Sequence, residues 1–254
     1  KMAKHGNRSV SSMSGSADLL EAFGVNLSMS PETANHCLAQ TNLCFLYAPA
    51  YHSGFKHAAP VRKAMGIRTL FNILGPLVNP AKPNIMLLGV YTPELLIPMA
   101  QALQLTGVKR AFVVHGSGLD EIALHGPTQV VEINNGELIE RTIKPQDFGL
   151  KNHSLEEIKG GTPAENANII KDILSGKGKD AHNAAVIINC AALLYLHNKA
   201  STFSQAAQLA SEVLASGKGL STLSALVKLS NEEVSLITNS NDTVIDTKLN
   251  TNTK

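Results

Sequence analysis

The residues Lys4-His5-Gly6-Asn7-Arg8-Ser9-Val10-Ser11-Ser12 and Ser14-Gly15-Ser16-Ala17-Asp18 gather two cations, several hydroxyls, an amide and glycines beside a helix start. Those groups suit a phosphate. Lys4 and Arg8 offer charge-assisted hydrogen bonds, and glycines let backbone N–H groups approach an anion. The turn Ser14-Gly15-Ser16 opens a helix over Ala17–Ala22, whose N-terminal dipole favours negative charge. A solvated basic loop is the alternative, and no P-loop or G-x-G-x-x-G motif is present.

Asp120-Glu121 follows the Gly-rich stretch His115-Gly116-Ser117-Gly118-Leu119. Adjacent carboxylates supply hard oxygen ligands suited to Mg²⁺ shared with phosphate oxygens. Against this stands the plain reading of a solvated acidic pair, the usual state of Asp and Glu. Arg62, in Pro60-Val61-Arg62-Lys63, has the planar fork that grips a carboxylate bidentately, unless it is a surface cation on a helix. His52, His57 and His115 lack a nearby nucleophile or metal-spaced partner, so structural or loop roles suit them better. With no G-x-S-x-G, no H-E-x-x-H and no cysteine cluster, nucleophilic and zinc chemistries have no support.

The elements that must hold these groups follow from periodicity and punctuation. Ser30-Pro31-Glu32 reads as N-cap, first helical proline and first-turn acid of a helix that places Cys37 and Cys44 on one face. Asn72 to Pro80 is turn-rich. Ile85–Tyr91, a helix from Thr92 to about Gln104, and Ala111–Val114 form a β-α-β unit with a parallel strand pair. Ligands in open α/β sheets sit beyond the carboxyl ends of the strands, which puts the His115–Glu121 loop where chemistry belongs. Gln129–Ile133 and Leu138–Ile143 flank the hairpin turn Asn134-Asn135-Gly136. Capping boxes at Ser154…Glu157, Thr162…Glu165 and Thr202…Gln205 start helices running to about Ile158, Leu174 and Leu214. Asp180–Asn198 forms a mostly buried helix. The chain divides into an α/β domain over 1–234 and a polar, disordered tail over 235–254.

Composition narrows the function classes. A formal charge of +2 from 22 basic and 20 acidic residues gives no footprint for nucleic acid. No Trp and 4% aromatic residues argue against base-stacking surfaces. Cys37, Cys44 and Cys190 are odd in number and lie in apolar stretches, so buried reduced thiols and a cytoplasmic location are expected. No run is long enough to span a bilayer, and no signal peptide is visible.

Taken in order, Lys4-His5-Gly6-Asn7-Arg8 with Ser14-Gly15-Ser16-Ala17-Asp18, Pro60-Val61-Arg62-Lys63, Gly66-Ile67-Arg68-Thr69, Phe71 to Leu77, Asn79-Pro80, His115-Gly116 with Leu119-Asp120-Glu121, and Gly160-Gly161-Thr162-Pro163 with Glu165-Asn166-Ala167 resemble the anthranilate phosphoribosyltransferases. The resemblance covers about residues 1–230 and implies a nucleoside phosphorylase/phosphoribosyltransferase-like α/β fold: a central, mostly parallel sheet flanked by helices. It implies transfer of a phosphoribosyl group from phosphoribosyl diphosphate to anthranilate in tryptophan biosynthesis, with Mg²⁺ as cofactor. Lys4, His5, Gly6, Asn7, Arg8, Ser9, Val10, Ser11, Ser12 and Ser16 would contact phosphoribosyl diphosphate. Asn7, His52, Arg62, Gly75 and Pro76 would contact anthranilate, and Asp120 and Glu121 would hold the metal.

In this family a helical segment, a Gly-Thr-Gly-Gly-Asp loop and an Asn-x-Ser-Thr turn precede the Lys-His-Gly-Asn-Arg motif, and none stands ahead of Lys4 here. The polypeptide thus resembles the enzyme's C-terminal portion, with an incomplete helical subdomain, and impaired activity is expected of it alone. The complete protein is expected to be a homodimer, without nucleic-acid or membrane partners. The alternatives are a non-catalytic, nucleic-acid-binding relative of the fold and a pyrimidine nucleoside phosphorylase.

Overall fold

The computed structural model describes residues 1–8, 14–54 and 71–232. At the N-terminal end, β1 (Met2–Gly6) pairs in parallel with β2 (Leu43–Tyr47), from Met2↔Leu43 to Gly6↔Tyr47. Between them lie α1 (Ser16–Ala22) and α2 (Pro31–Thr41). The start of α2 follows the sequence: Ser30 Oγ accepts the Thr33 N–H at 3.1 Å and Pro31 opens the first turn. Its end corrects the shared helical face expected of Cys37 and Cys44. Asn42 turns left-handed at φ 61°, and Cys44 lies on β2. The run Leu43-Cys44-Phe45-Leu46-Tyr47 meets a strand partner in β1, and that pairing decides the conformation. Both thiols remain core groups, packed among Val25, Met29, Ala34, Leu46 and Leu226.

After β2 come α3 (Ala48–Tyr51), α4 (Phe71–Leu74) and a 3-10 turn over Gly75–Val78. The second sheet has the order β3 (Ile85–Gly89), β4 (Arg110–His115), β5 (Thr128–Asn134), β6 (Glu137–Ile143). The expected β-α-β unit is present: β3 and β4 are parallel, linked by a 3-10 turn and α5 (Leu96–Leu105). The expected hairpin joins β5 to β6 through Asn135 at φ 49° and Gly136 at φ 97°, which matches the twist of the flanking strands. The α/β class holds, and this sheet is mixed, because the hairpin adds two antiparallel pairings to one parallel pairing.

Alternation along the strands builds two layers. Phe112, Val114 and Val130 face α7 (Asp180–Leu196) and α8 (Phe203–Ala215), while Ala111, Val113, Val131 and Ile133 face Met99, Ala100 and Leu103 of α5. Between β5 and its neighbours, the buried Glu132 carboxylate is paired with Arg110 at 3.6 Å and with Arg141. The Thr162–Glu165 box caps α6 (Pro163–Leu174) reciprocally, and Thr202 Oγ1 accepts the Gln205 N–H at 3.2 Å to start α8. The Ser154–Glu157 box opens only a 3-10 turn over Glu156–Ile158.

Helix α9 (Lys218–Ser230) returns to the N-terminal layer, where Leu226 joins the core around Cys37 and Ser230 Oγ accepts the Asn26 N–H at 3.1 Å. Cys190 corrects the expectation of three buried thiols. It sits on the exposed side of α7, whose buried side is Ala184, Ile187, Ile188, Ala191 and Ala192. No described helix is long and apolar enough to cross a membrane. The tail from residue 235 lies outside the described residues.

Candidate active site

The acidic pair is set by backbone packing. Beyond β4, Ser117 (φ 50°) and Gly118 (φ 98°) make a tight turn closed by the Gly116–Leu119 bridge. The chain then runs back over the ends of β3 and β4 so closely that a Cβ on Gly89 would lie 1.6 Å from the Asp120 carbonyl oxygen. A Cβ on Gly116 would lie 2.2 Å from the Glu121 carbonyl oxygen. Glycine at both positions is therefore a condition for this loop. His115 joins the strand ends, with Nδ1–H donating to the Val90 carbonyl at 2.9 Å and Nε2 accepting the Gly118 N–H at 3.3 Å.

The Asp120 and Glu121 carboxylates are left without a hydrogen-bond or ion-pair partner among the described residues. Glu121 titrates above the usual carboxylate range. Desolvation is the main cause, the Asp120 charge adds to it, and the Lys4 ammonium opposes it. Lys4 thus comes from β1 into the field of the acidic loop. Two mutually repelling carboxylates on a fixed backbone fit a hard divalent cation, whose charge relieves that repulsion. No group of three His, Cys, Asp or Glu side chains suited to a metal occurs among the described residues.

A second grouping forms around β1. His5 Nδ1–H donates to the Gly75 carbonyl at 3.1 Å, which leaves Nε2 to accept from His52 Nε2 at 3.2 Å, the two rings meeting edge to face. His5 titrates below the ordinary histidine value. Desolvation leads, the Gly75 carbonyl raises it in part, and His52 lowers it further. Asn79 Nδ2 donates to the Ala3 carbonyl at 3.3 Å, so the turn after Pro76 also grips the strand. Gly6 is wedged where a Cβ would stand 2.9 Å from Ser16 Oγ and 3.1 Å from the Phe45 ring.

The structure therefore brings Lys4 toward Glu121, His5 onto His52 and Gly75, and Gly6 against Ser16. Arg8 points elsewhere: its guanidinium forks onto both Glu21 oxygens, donates from Nε to the Tyr47 hydroxyl at 3.3 Å and lies 3.7 Å from Asp18. Its pKa is raised, chiefly by Glu21. Asn7 Oδ1 accepts the Arg8 N–H at 2.8 Å. Ser9, Val10, Ser11, Ser12 and Arg62 lie outside the described residues. Sequence reasoning missed Glu21 and Tyr47 as partners of Arg8, and no spacing rule connects positions 8 and 47. Two cavities, of about 180 Å³ beside Lys159, Asp172 and Lys179 and about 430 Å³ beside His125 and His153, include none of these residues.

The family model described as "Glycosyl transferase family, a/b domain" matches residues 1–220. An anthranilate phosphoribosyltransferase of Colwellia psychrerythraea is 90% identical over 235 residues, covering 92% of this chain and 64% of that protein. The crystal structure of the anthranilate phosphoribosyltransferase of Thermus thermophilus superposes with a TM-score of 0.85 at 43% identity, covering 91% of this chain and 68% of that one. The Saccharomyces cerevisiae enzyme, solved in complex with phosphoribosyl diphosphate and Mg, gives a TM-score of 0.83 at 33% identity over 91% of this chain and 65% of that one. The same yeast enzyme in complex with 4-fluoroanthranilate gives 0.81 at 31% identity over 91% and 64%. The chain thus spans about two thirds of the length of these relatives. With the family model, the sequence identity and the fold in agreement, the chain belongs to this glycosyl transferase family and, within it, to the anthranilate phosphoribosyltransferases.

Proposed function

We propose that the protein transfers the phosphoribosyl group of phosphoribosyl diphosphate to the amine of anthranilate, giving N-(5-phosphoribosyl)anthranilate and diphosphate in tryptophan biosynthesis. The observation that carries this reading is the convergence on β1. The charge of its Lys4 acts on Glu121, and its His5 contacts His52 and Gly75, so one strand serves both the anionic and the aromatic ends of a site. The relatives solved with phosphoribosyl diphosphate and Mg and with 4-fluoroanthranilate support the same assignment.

In this reading Lys4 to Ser12 and Ser16 hold phosphoribosyl diphosphate, with Lys4 placed against charge that grows on the leaving oxygens. Asp120 and Glu121 would hold Mg²⁺, which when bound neutralises diphosphate oxygens and eases their departure. Asn7, His52, Gly75, Pro76 and Arg62 receive anthranilate, Arg62 clamping the carboxylate through two N–H groups. The amine nitrogen bonds to the anomeric carbon as the carbon–oxygen bond to diphosphate breaks, the electron pair leaves with diphosphate, and the nitrogen gives up one proton to solvent. No covalent enzyme intermediate is needed, and alignment of the two reactants supplies much of the rate. Arg8 must exchange Glu21 for a ligand oxygen if it joins the diphosphate. A cytoplasmic location and a homodimer belong to the same proposal.

Diphosphate release in the presence of phosphoribosyl diphosphate, Mg²⁺ and anthranilate tests it, using the chain extended to the length of its relatives. Activity is expected, and Arg62→Ala should lower kcat/KM about 10–100-fold, as loss of hydrogen bonds to a charged group implies. Salt-sensitive oligonucleotide binding without release would move the reading to a nucleic-acid-binding relative. Cleavage that requires inorganic phosphate would move it to a nucleoside phosphorylase.

A further inference from the structure

Asp120 and Glu121 are fixed by groups that touch neither carboxylate. The backbone of the next two residues is pinned from two different elements: the Ile122 N–H donates to Asn189 Oδ1 of α7 at 3.3 Å, and the Ala123 N–H donates to Thr128 Oγ1 of β5 at 2.9 Å. Both anchors are themselves constrained. Asn189 Nδ2 donates to the Ala185 carbonyl at 3.0 Å, which orients the amide so that its oxygen faces the loop. Thr128 is fully buried, as is Ala123, and Ile122 is nearly so. Asn189 is the polar side chain in the apolar run Ala184–Leu196, and helix packing alone gives no reason for an amide there. The loop amide gives that reason.

We propose that Asn189 and Thr128 are positioning residues for the metal-holding pair. They clamp the backbone at 122–123 from α7 and β5, and thereby keep Asp120 and Glu121 presented together at the end of the β3–β4 pair. This rests on the reading of Asp120 and Glu121 as metal-holding residues. Groups that orient ligands without touching the ion commonly contribute about 10–100-fold in metal affinity.

Mn²⁺ serves as the probe, its free signal being read by electron paramagnetic resonance with phosphoribosyl diphosphate present. Ile122 and Ala123 amide exchange is followed by NMR. Asp120→Asn and Glu121→Gln come first: if neither weakens Mn²⁺ binding, the metal reading itself fails and this inference falls with it. If they do weaken it, Asn189→Leu and Thr128→Val are expected to raise the Mn²⁺ Kd about tenfold and speed exchange at Ile122 and Ala123 respectively, whereas Thr128→Ser, which keeps the hydroxyl, retains the parent affinity. Parent-like Mn²⁺ affinity in Asn189→Leu and Thr128→Val overturns the inference while leaving the metal reading intact. Equal weakening by Thr128→Ser and Thr128→Val also overturns it, since a packing effect would not distinguish the hydroxyl. Should Asn189→Leu fail to fold, the Thr128 pair decides alone.

Discussion

His5 shows how one ring nitrogen can fix the role of another. Donation from Nδ1 to the Gly75 carbonyl leaves Nε2 as an acceptor, and the His52 N–H fills it at 3.2 Å. A proton on Nε2 would remove that acceptor, in line with the lowered His5 pKa. Between the folded value and the unfolded value of 6.5 the unfolded chain binds more protons, so this contribution to stability is full above 6.5 and is lost as pH falls below it. An NMR titration of the imidazoles should find His5 below 6.5, and a value at or above 6.5 would contradict the geometry. Glu132 makes a different prediction. Glu132→Ala leaves Arg110 and Arg141 facing a buried gap, and denaturant unfolding should show a loss of about 3 kcal/mol, the magnitude typical of breaking a buried ion pair. A loss below about 1 kcal/mol would mean that the pair behaves as an exposed one. At this scale the sequence marked Lys4, Asp120 and Glu121 as candidates by type and spacing, and His52 only through the family resemblance. It could not show that Arg8 turns to Glu21, because that partner is chosen by how α1 packs beside β2.

At the scale of elements, local signals transferred well wherever the interaction is local. Ser30, Thr162 and Thr202 each cap the helix that their spacing predicts, and Asn135-Gly136 turns its hairpin. The Ser154–Glu157 box is formed in full but starts only a 3-10 turn, because Lys159-Gly160-Gly161 follows at once. Glu157 titrates at about 2, held down first by the Ser154 N–H, then by the Ser154 hydroxyl and His153. Its folded value lies below the ordinary 4.5, so the contribution is present above 4.5 and is lost as pH falls toward 2. Glu157→Gln should therefore lower Tm at neutral pH, and the difference from the parent protein should shrink as pH drops from about 5 to about 3. A difference independent of pH would show that the charge is not what the box uses. Strands β1 and β2 were not legible: β1 mixes polar and apolar residues, the short apolar run of β2 follows directly on a helix, and each becomes a strand only by pairing with the other.

The whole molecule explains why the candidate site residues lie so far apart in the chain. The layer of β1, β2, α1, α2 and α9 carries Lys4 and His5, the second sheet carries the acidic loop, and Asn79 ties the turn after Pro76 to β1. Fold class and the order of the motifs were readable from the sequence. The action of the Lys4 charge on Glu121, 117 positions apart by 121 − 4, is tertiary and was not. The central claim is that these two layers close on one ligand. Calorimetric titration of phosphoribosyl diphosphate in the presence and absence of Mg²⁺, for the parent, Lys4→Ala, Glu121→Gln and the double variant, tests it most directly. Mg²⁺-dependent binding is expected, with a loss of about tenfold or more for each single variant and a double variant that loses less than the product of the two. Binding indifferent to Mg²⁺, or independent multiplicative losses, would contradict a single site shared by β1 and the acidic loop.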